Sequence, residues 1–169
     1  MSTITVLILM GSDSDAPTMQ PCVDVLDEFK IPCEMTVASA HRSPERVMRL
    51  VSEAPARGVK VFIVGAGAAA HLAGVVAAHT TMPVIGVPID SSALKGMDAL
   101  LSTVQMPPGV PVATVSIGKA GATNAGVLAA QILGLADAAI ADRLVAYKKK
   151  LAEKVEEAAS RIPHPAPRP

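Results

Sequence analysis

The stretch Ile4-Thr5-Val6-Leu7-Ile8-Leu9-Met10, which runs directly into Gly11-Ser12-Asp13-Ser14-Asp15, decides the predicted fold. Its near-continuous apolar character is typical of a parallel strand that is buried on both faces of a sheet. Four further short runs have strand character and alternate with helical patterns, at residues 33–39, 60–64, 84–87 and 112–117. This alternation predicts an α/β fold in which one five-stranded parallel sheet carries helices on both faces.

The spacing of apolar residues predicts helices between these strands. Four apolar residues from Cys22 to Phe29 repeat at i, i+3, i+4 and i+7, which is the pattern of one helix face. Because Pro17 and Pro21 are costly inside a helix, we expect the regular part to start near Thr18. The other predicted helices cover residues 44–56, where Gly58 ends the helix, then 71–79, 122–135 and 138–159.

The composition indicates one domain with a sizeable core. The 169 residues include 15 basic and 15 acidic side chains, so the charges cancel and nucleic acid is not an expected partner. Charged residues make up 18%, below the roughly 25% typical of soluble domains, which suggests that part of the outer surface is buried against other subunits. We expect residues 1–160 to form the domain and the Pro-rich residues 161–169 to be disordered.

The two cysteines indicate neither a metal site nor a disulfide framework. Cys22 and Cys33 are isolated and fit no metal spacing, so we expect them to act as small buried hydrophobes in a reducing compartment. The chain has no apolar run of membrane-spanning length and no basic segment ahead of its first apolar run. These features predict a cytoplasmic protein with no membrane partner.

Ligands of an open parallel sheet bind outside the carboxyl ends of the strands, and three loops qualify. The first is the loop from Gly11 to Asp15, in which the glycine lets the chain turn tightly as it leaves the strand. The hydroxyls of Ser12 and Ser14 can donate to phosphate, and a carboxylate can accept from ribose hydroxyls. The alternative is an ordinary helix-capping loop. Because the loop lacks a Gly-Lys-Ser/Thr ending, it is not a nucleoside-triphosphate P-loop.

The second loop, Ser39-Ala40-His41-Arg42-Ser43-Pro44, follows the second predicted strand. An imidazole such as that of His41 both gives and takes a proton near neutral pH, and the guanidinium of Arg42 has a planar fork suited to phosphate. Ser43 and Pro44 are typical of a helix start, where free N–H groups favour anions. The alternative is a capped helix with two incidental polar neighbours.

The third loop is Gly65-Ala66-Gly67-Ala68-Ala69-Ala70-His71. It matches the dinucleotide fingerprint G-x-G-x-x-A, with Asp90 as the ribose-binding acid, which keeps a nicotinamide dehydrogenase as an alternative. We favour a different interpretation, in which the small residues of this loop let the backbone approach a flat ligand and leave an apolar hollow beside it. His71 is either a second polar group of the site or a helix-start histidine bonded to backbone. His79 and His164 are expected at the surface.

These three loops, in this order, resemble the PurE family of purine biosynthesis. The family pattern Gly-Ser-x-Ser-Asp is met by residues 11–15, and Ser-Ala-His-Arg-Thr/Ser-Pro is met by residues 39–44. The pattern Gly-Ala-Gly-Gly-Ala-Ala-His-Leu is met by residues 65–72, with Ala68 in place of one glycine. Ala16 and Ala73 replace the tryptophan and proline usual at those positions. The resemblance extends over about residues 4–145.

The resemblance implies a flavodoxin-like, three-layer α/β/α sandwich that assembles as a homo-octamer, with the C-terminal helix packing on neighbouring subunits and with no metal or organic cofactor. The motifs are most similar to class I, the 5-(carboxyamino)imidazole ribonucleotide mutases of IMP biosynthesis, whose substrate is supplied by an ATP-dependent synthetase. These isomerases move a carboxyl group from the exocyclic nitrogen to ring carbon 4. The alternatives are a class II aminoimidazole ribonucleotide carboxylase and a non-catalytic flavodoxin-like nucleotide-binding module.

The resemblance also implies a role for each loop. His41 is the general acid and base, Ser12 and Asp15 hold the ribose side, and phosphate is held by Ser14, Ser39 and Arg42. A hollow for carbon dioxide is lined by residues 66–69. The full set of substrate-contacting residues expected on this basis is Gly11, Ser12, Asp13, Ser14, Asp15, Ser39, Ala40, Arg42, Gly65, Ala66, Gly67, Ala68, Ala69, His71 and Leu72.

Overall fold

Five parallel strands form one sheet at the centre of the computed structural model, which describes residues 4–162. β1 (Val6–Met10) pairs with β2 (Cys33–Val37) on one side and with β3 (Val61–Gly67) on the other. β4 (Val84–Ile89) pairs with β3, and β5 (Ala113–Thr114) pairs with β4 at the edge. The order β2-β1-β3-β4-β5 places the carboxyl ends of the first four strands side by side.

Burial explains why the first strand is apolar throughout. All five residues of β1 are buried, and its side chains alternate between two cores because successive residues of a strand point to opposite faces. Val6, Ile8 and Met10 belong to the core on one face of the sheet, whereas Leu7 and Leu9 belong to the core on the other. The prediction of a sheet covered on both faces is therefore confirmed.

Six helices of the described chain cover the two faces, and the fold is a flavodoxin-like three-layer α/β/α sandwich. One face carries α1 (Ala16–Glu28) and α5 (Gly118–Gly134), with α6 (Ala138–Ser160) packed beside α5. The other face carries α2 (Pro44–Glu53), α3 (Leu72–Ala78) and α4 (Met97–Val104).

The first helix starts earlier than predicted. It begins at Ala16 instead of near Thr18, and Pro17 lies in its first turn, where a missing N–H breaks no helical bond. Pro21 lies inside the helix, and its absent N–H would have bonded only to the carbonyl of Pro17. The expected start was wrong because both prolines lie close to the N-terminus of the helix, where they cost few backbone hydrogen bonds.

The third strand extends further than predicted, and the fifth is shorter. β3 runs to Gly67, not to residue 64, because Gly65 and Gly67 pair with Val87 and Ile89 of β4. β5 keeps only Ala113–Thr114 of the predicted residues 112–117, since it lies at the edge and bonds to one neighbour. Three residues assigned to the third loop therefore belong to a strand.

Two helical boundaries also differ from the expectations. The predicted helix 44–56 ends at Glu53 and continues as a 3-10 turn, Pro55–Arg57, because Pro55 has no N–H for the carbonyl of Val51. Gly58, with φ +88°, ends this turn as expected. The helix α4 was not predicted at all; the left-handed residue Gly96 (φ +81°) precedes it.

The cysteines lie where the sequence placed them, in α1 and at the start of β2. Cys22 is fully buried, and burial raises the pKa of its thiol to about 12; burial also raises the pKa of the partly buried Cys33 thiol. Within residues 4–162, no helix is both long and apolar enough to cross a membrane. His79 is exposed as predicted, whereas His164 and most of the predicted Pro-rich tail, residues 163–169, lie outside the described residues.

Candidate active site

The three predicted loops meet at the carboxyl edge of the sheet, where they line a cleft of about 430 Å³. The cleft lies over the ends of β2, β1 and β3, which are neighbours in the sheet. Of the predicted site residues, Asp13, Gly65, Ala68 and His71 do not line it. The predicted residues that do line it are Gly11, Ser12, Ser14, Asp15, Ser39, Ala40, His41, Arg42, Ala66, Gly67, Ala69 and Leu72.

The loop after β1 both caps a 3-10 turn and lines the cleft. The Ser14 backbone N–H donates to Ser12 Oγ at 3.3 Å, and the Ser12 backbone N–H donates to Asp15 Oδ2 at 3.1 Å. The Ser14 hydroxyl also contacts Ser12 Oγ at 2.9 Å. The capping alternative is therefore correct for the local structure, and it orients two hydroxyls and a carboxylate at the cleft.

Asp15 is the buried carboxylate of this loop, with 6% of its surface exposed. Burial raises its pKa above the ordinary value, although the Ser12 N–H and the positive charge of Arg42 act in the opposite direction. A carboxylate that is shielded from water in this way is stabilised by any hydrogen-bond donor that a ligand brings. Asp15 is thus suited to accept hydrogen bonds from a bound hydroxyl group.

The loop after β2 closes on itself and turns Arg42 across the sheet. Ser43 occupies the predicted N-cap position of α2 but caps no helical N–H; it accepts instead from the Ser39 backbone N–H at 3.1 Å. The Arg42 N–H donates to Ser39 Oγ at 3.1 Å. Arg42 Nη2 then donates to the Gly11 carbonyl oxygen at 2.8 Å, which ties the loop after β2 to the loop after β1.

Close packing explains the glycines at the end of β3. A Cβ atom on Gly65 would lie 2.6 Å from Met19 Sδ, and one on Gly67 would lie 1.8 Å from Ser91 Oγ. Ala68 follows with φ +50°, in the left-handed region that favours glycine. This backbone conformation explains why the PurE pattern has a glycine where this chain has Ala68.

His41 and His71 come together from two different loops. His41 Nε2 lies 2.9 Å from His71 Nδ1, and the two rings cross at 85° with their centroids 5.0 Å apart. One nitrogen donates and the other accepts, so a proton can be held between the rings. His71 lies at the start of α3, as one alternative expected, and within residues 4–162 its ring bonds to His41 and not to backbone.

Ser91 lines the cleft and was missed in the sequence analysis. It follows β4 by two residues, and β4 lies beside β3, so the topology of the sheet was the signal that could have found it. Asp90, the acid of the dehydrogenase alternative, does not line the cleft. A dinucleotide fingerprint places its first two glycines in a loop that binds the pyrophosphate. Here Gly65 and Gly67 are residues of β3, so they do not form such a loop.

Comparison with known proteins identifies the family of this chain. The family model described as AIR carboxylase matches residues 5–154. The N5-carboxyaminoimidazole ribonucleotide mutase of Bacillus subtilis is 54% identical over 155 residues, which cover 92% of this chain and 96% of that protein. The mutase of Thermotoga maritima is 51% identical over 155 residues, covering 92% and 90%.

A solved structure is similar over almost the whole chain. The crystal structure of Treponema denticola PurE superposes with a TM-score of 0.85 at 32% identity, covering 95% of this chain and 99% of that one. The family model and the curated relatives match most of the chain, and the solved structure shares its fold. The chain therefore belongs to the AIR carboxylase family, the family of the PurE proteins.

Proposed function

We infer that this chain catalyses the mutase reaction named for its relatives, the conversion of N5-carboxyaminoimidazole ribonucleotide by migration of its carboxyl group from the exocyclic nitrogen to ring carbon 4. It is thereby an isomerase of purine biosynthesis. The observation that carries this inference is one cleft that holds His41, Arg42 and the hydroxyls of Ser12 and Ser14. Such a cleft supplies an acid–base group beside a site for a sugar phosphate.

The charges and donors of the cleft support one orientation of the substrate. The planar fork of Arg42 keeps donors free beyond the bond to Gly11, so it binds phosphate together with Ser14 and Ser39. The ribose then lies over the end of β1, where Ser12 and the buried carboxylate of Asp15 take its hydroxyls. The heterocycle extends toward the end of β3.

The first chemical step breaks the bond between the exocyclic nitrogen and the carboxyl carbon. The bonding electrons stay on nitrogen, which takes a proton from His41, and the carboxyl group leaves as carbon dioxide. Ala66, Gly67 and Ala69 line this part of the cleft with little side-chain bulk, and we propose that carbon dioxide is held against them, away from water. The imidazole is left neutral.

The second step forms the new carbon–carbon bond. Ring carbon 4 attacks carbon dioxide and becomes tetrahedral, and the neutral imidazole of His41 then removes the proton from that carbon, which restores the aromatic ring. His41 gives one proton in the first step and takes one back in the second, so a single imidazole serves both steps. His71, at 2.9 Å from His41, holds the ring in place and shares its proton. The reaction as written needs acid–base chemistry alone.

We also propose that copies of this chain assemble as a homo-octamer. Leu135 and Val145 are 90% and 71% exposed in the single chain, and they line an apolar groove of about 440 Å³ between α5 and α6. Packing of α6 on neighbouring subunits would bury this surface. Light scattering should give eight times the chain mass of 17.3 kDa, and Leu135→Glu should reduce it.

The reaction places the chain after an enzyme that makes the carboxyamino compound. We propose that an ATP-dependent carboxyaminoimidazole ribonucleotide synthetase is its functional partner and that both work in the cytoplasm. Mixing this chain with the synthetase, aminoimidazole ribonucleotide, ATP and bicarbonate should form the carbon-4 carboxylate. Omission of ATP should stop product formation, because the substrate of the mutase is then no longer supplied.

Carbon-13 NMR of the purified protein tests the proposed reaction. With the carboxyamino ribonucleotide labelled in its carboxyl group, the label should move to a carbon attached to ring carbon 4. If conversion occurs only from aminoimidazole ribonucleotide and bicarbonate, the protein is a class II carboxylase instead. If the ribonucleotide binds and no conversion occurs, it is a binding module, and the mutase proposal is wrong.

A further inference from the structure

We propose that the Ser91 hydroxyl binds the migrating carboxyl group, donating a hydrogen bond to it before the carbon–nitrogen bond breaks and again after the carbon–carbon bond forms. This inference rests on the proposed mutase reaction and adds a residue to it. Ser91 follows β4 and lines the same cleft as His41 and Arg42. Three features of Ser91 support this role: it lines the cleft, its hydroxyl is free, and it lies at the end of the cleft opposite Arg42.

The Ser91 side chain packs against Gly67 at the end of β3. Gly67 pairs with Ile89, so the chain leaves β4 beside the end of β3 two residues before Ser91. A Cβ atom on Gly67 would lie 1.8 Å from Ser91 Oγ and 2.8 Å from Ser91 Cβ. The serine side chain therefore occupies the space that a larger residue at Gly67 would take. This puts a hydroxyl beside Ala66, Gly67 and Ala69, which line the same cleft.

The order of the strands sets which end of the substrate meets Ser91. Arg42 follows β2 and Ser91 follows β4, with β1 and β3 between them. Neighbouring strands lie about 4.8 Å apart, so the two residues lie at opposite ends of a cleft roughly three strand spacings wide. A ribonucleotide with its phosphate on Arg42 and its ribose over β1 directs its heterocycle, and the carboxyl group on it, toward Ser91.

The Ser91 hydroxyl is available for this bond at the β4 end of the cleft, whereas the other serine hydroxyls of the cleft follow β1 and β2. The Ser12 and Ser14 hydroxyls bond within their own loop, and Ser39 Oγ accepts from the Arg42 N–H. Ser91 Oγ makes no hydrogen bond to any other residue between positions 4 and 162. A hydroxyl carries one donor, and a carboxylate is the strongest neutral-pH acceptor that the substrate brings to this end of the cleft.

The segment after Ser91 is held in place by its own hydrogen bonds. The Ser92 hydroxyl donates to Asp98 Oδ2 at 2.7 Å, and the Leu94 backbone N–H donates to Ser92 Oγ at 3.1 Å. The Lys95 N–H closes the turn on the Ser92 carbonyl oxygen at 3.1 Å. Ser91 directly precedes this braced turn, so the path of its backbone beside Gly67 is held on one side by β4 and on the other by the turn.

Retention of the released carbon dioxide is the property that distinguishes this role from a structural one. Substrate with a carbon-13 carboxyl group is converted in a solution of unlabelled bicarbonate, and the fraction of product that keeps the label is measured. The free aminoimidazole ribonucleotide released for each product molecule is measured in parallel. A carboxyl group that is poorly held leaves as free carbon dioxide, so the label is lost and this side product accumulates.

Ser91→Thr and Ser91→Val form the matched pair, because they have nearly the same shape and only threonine keeps the hydroxyl. We expect Ser91→Val to lower kcat by roughly ten- to a hundredfold, the scale of one hydrogen bond to a charged group, and to release several times more free aminoimidazole ribonucleotide. Ser91→Thr should keep most of the label in the product. Circular dichroism and thermal unfolding should show that both variants fold.

The outcomes separate this inference from the proposed function. If the unmodified chain does not convert the substrate, the mutase proposal itself is overturned. If it does, and the valine and threonine variants behave alike in label retention and kcat, then Ser91 does not bind the carboxyl group. If both variants fail to fold, Ser91→Ala in the same label experiment decides, since it removes the hydroxyl and adds no atoms; unchanged retention in that variant overturns the inference.

Discussion

His41 Nε2 lies 2.9 Å from His71 Nδ1, although the two histidines follow different strands and are separated by 30 residues of chain. The contact joins the loop after β2 to the loop after β3, above strand ends that have β1 between them. Since the rings cross at 85°, each ring limits the rotation of the other. A general acid and base that is held in one orientation needs no reorganisation when it protonates the leaving nitrogen.

Replacement of His41 tests the centre of the mechanism. His41→Asn keeps a polar side chain of similar size and removes the imidazole that gives and takes the proton, so kcat should fall by about 100- to 10,000-fold while the fold persists. The control is His79→Asn at an exposed histidine whose Nδ1 contacts the Val75 carbonyl oxygen. Turnover of the carboxyamino ribonucleotide is the measurement, and near-normal kcat in His41→Asn would remove His41 from the proposed role.

Replacement of His71 tests the pairing of the two rings. His71→Phe keeps a flat ring for the edge-to-face contact and removes the nitrogen that bonds to His41, so the orientation and the proton sharing are weakened. We expect kcat to fall by about tenfold, the scale of a lost hydrogen bond, with KM changed less than twofold. A rise in KM at unchanged kcat would show that His71 binds substrate and does not position His41.

Arg42 is the predicted phosphate anchor. Arg42→Ala removes a charged, planar donor set, so KM should rise by roughly ten- to a hundredfold, with a smaller change in kcat. Arg49→Ala is the matched control, because Arg49 is an exposed arginine of α2 outside the cleft. An unchanged KM in steady-state kinetics would contradict the assignment of Arg42 to phosphate.

Asp15 links stability to pH. Because burial raises its pKa in the folded chain above the ordinary value of 3.8, the folded state binds this proton more tightly than the unfolded chain does. Its contribution to stability is therefore full below pH 3.8 and is lost as the pH rises through the folded-state pKa. At neutral pH, Asp15→Asn should melt at a higher temperature than the unmodified chain while binding substrate about tenfold more weakly.

Thermal unfolding between pH 3.5 and 7 checks this prediction. The difference in melting temperature between Asp15→Asn and the unmodified chain should grow with pH and then level off, as the carboxylate of the unmodified chain loses its proton. Asp142→Asn, at an exposed carboxylate of α6, is the control and should show no such trend. A constant difference across the range would mean that burial of Asp15 does not set its pKa.

Much of the architecture could be predicted because its signals are local. The apolar run from Ile4 to Met10 predicted a strand buried on both faces, and the periodicity from Cys22 to Phe29 predicted α1. The helix α4 was missed, because its start is set by Gly96 in a left-handed conformation and its two buried residues, Ala99 and Thr103, carry little apolar signal. The length of β5 could not be predicted either, since an edge strand depends on how far its single neighbour pairs with it.

The sequence by itself determined which chemical groups stand at the strand ends: an imidazole, a guanidinium, hydroxyls and small residues, in an order that matches one family. Only the tertiary structure decided which of them meet. The pairing of His41 with His71 and the packing of Ser91 on Gly67 depend on the strand order β2-β1-β3-β4-β5, which sets residues far apart in the chain side by side. Local patterns specify strands and helices, whereas contacts between loops follow from long-range pairing that no single segment encodes.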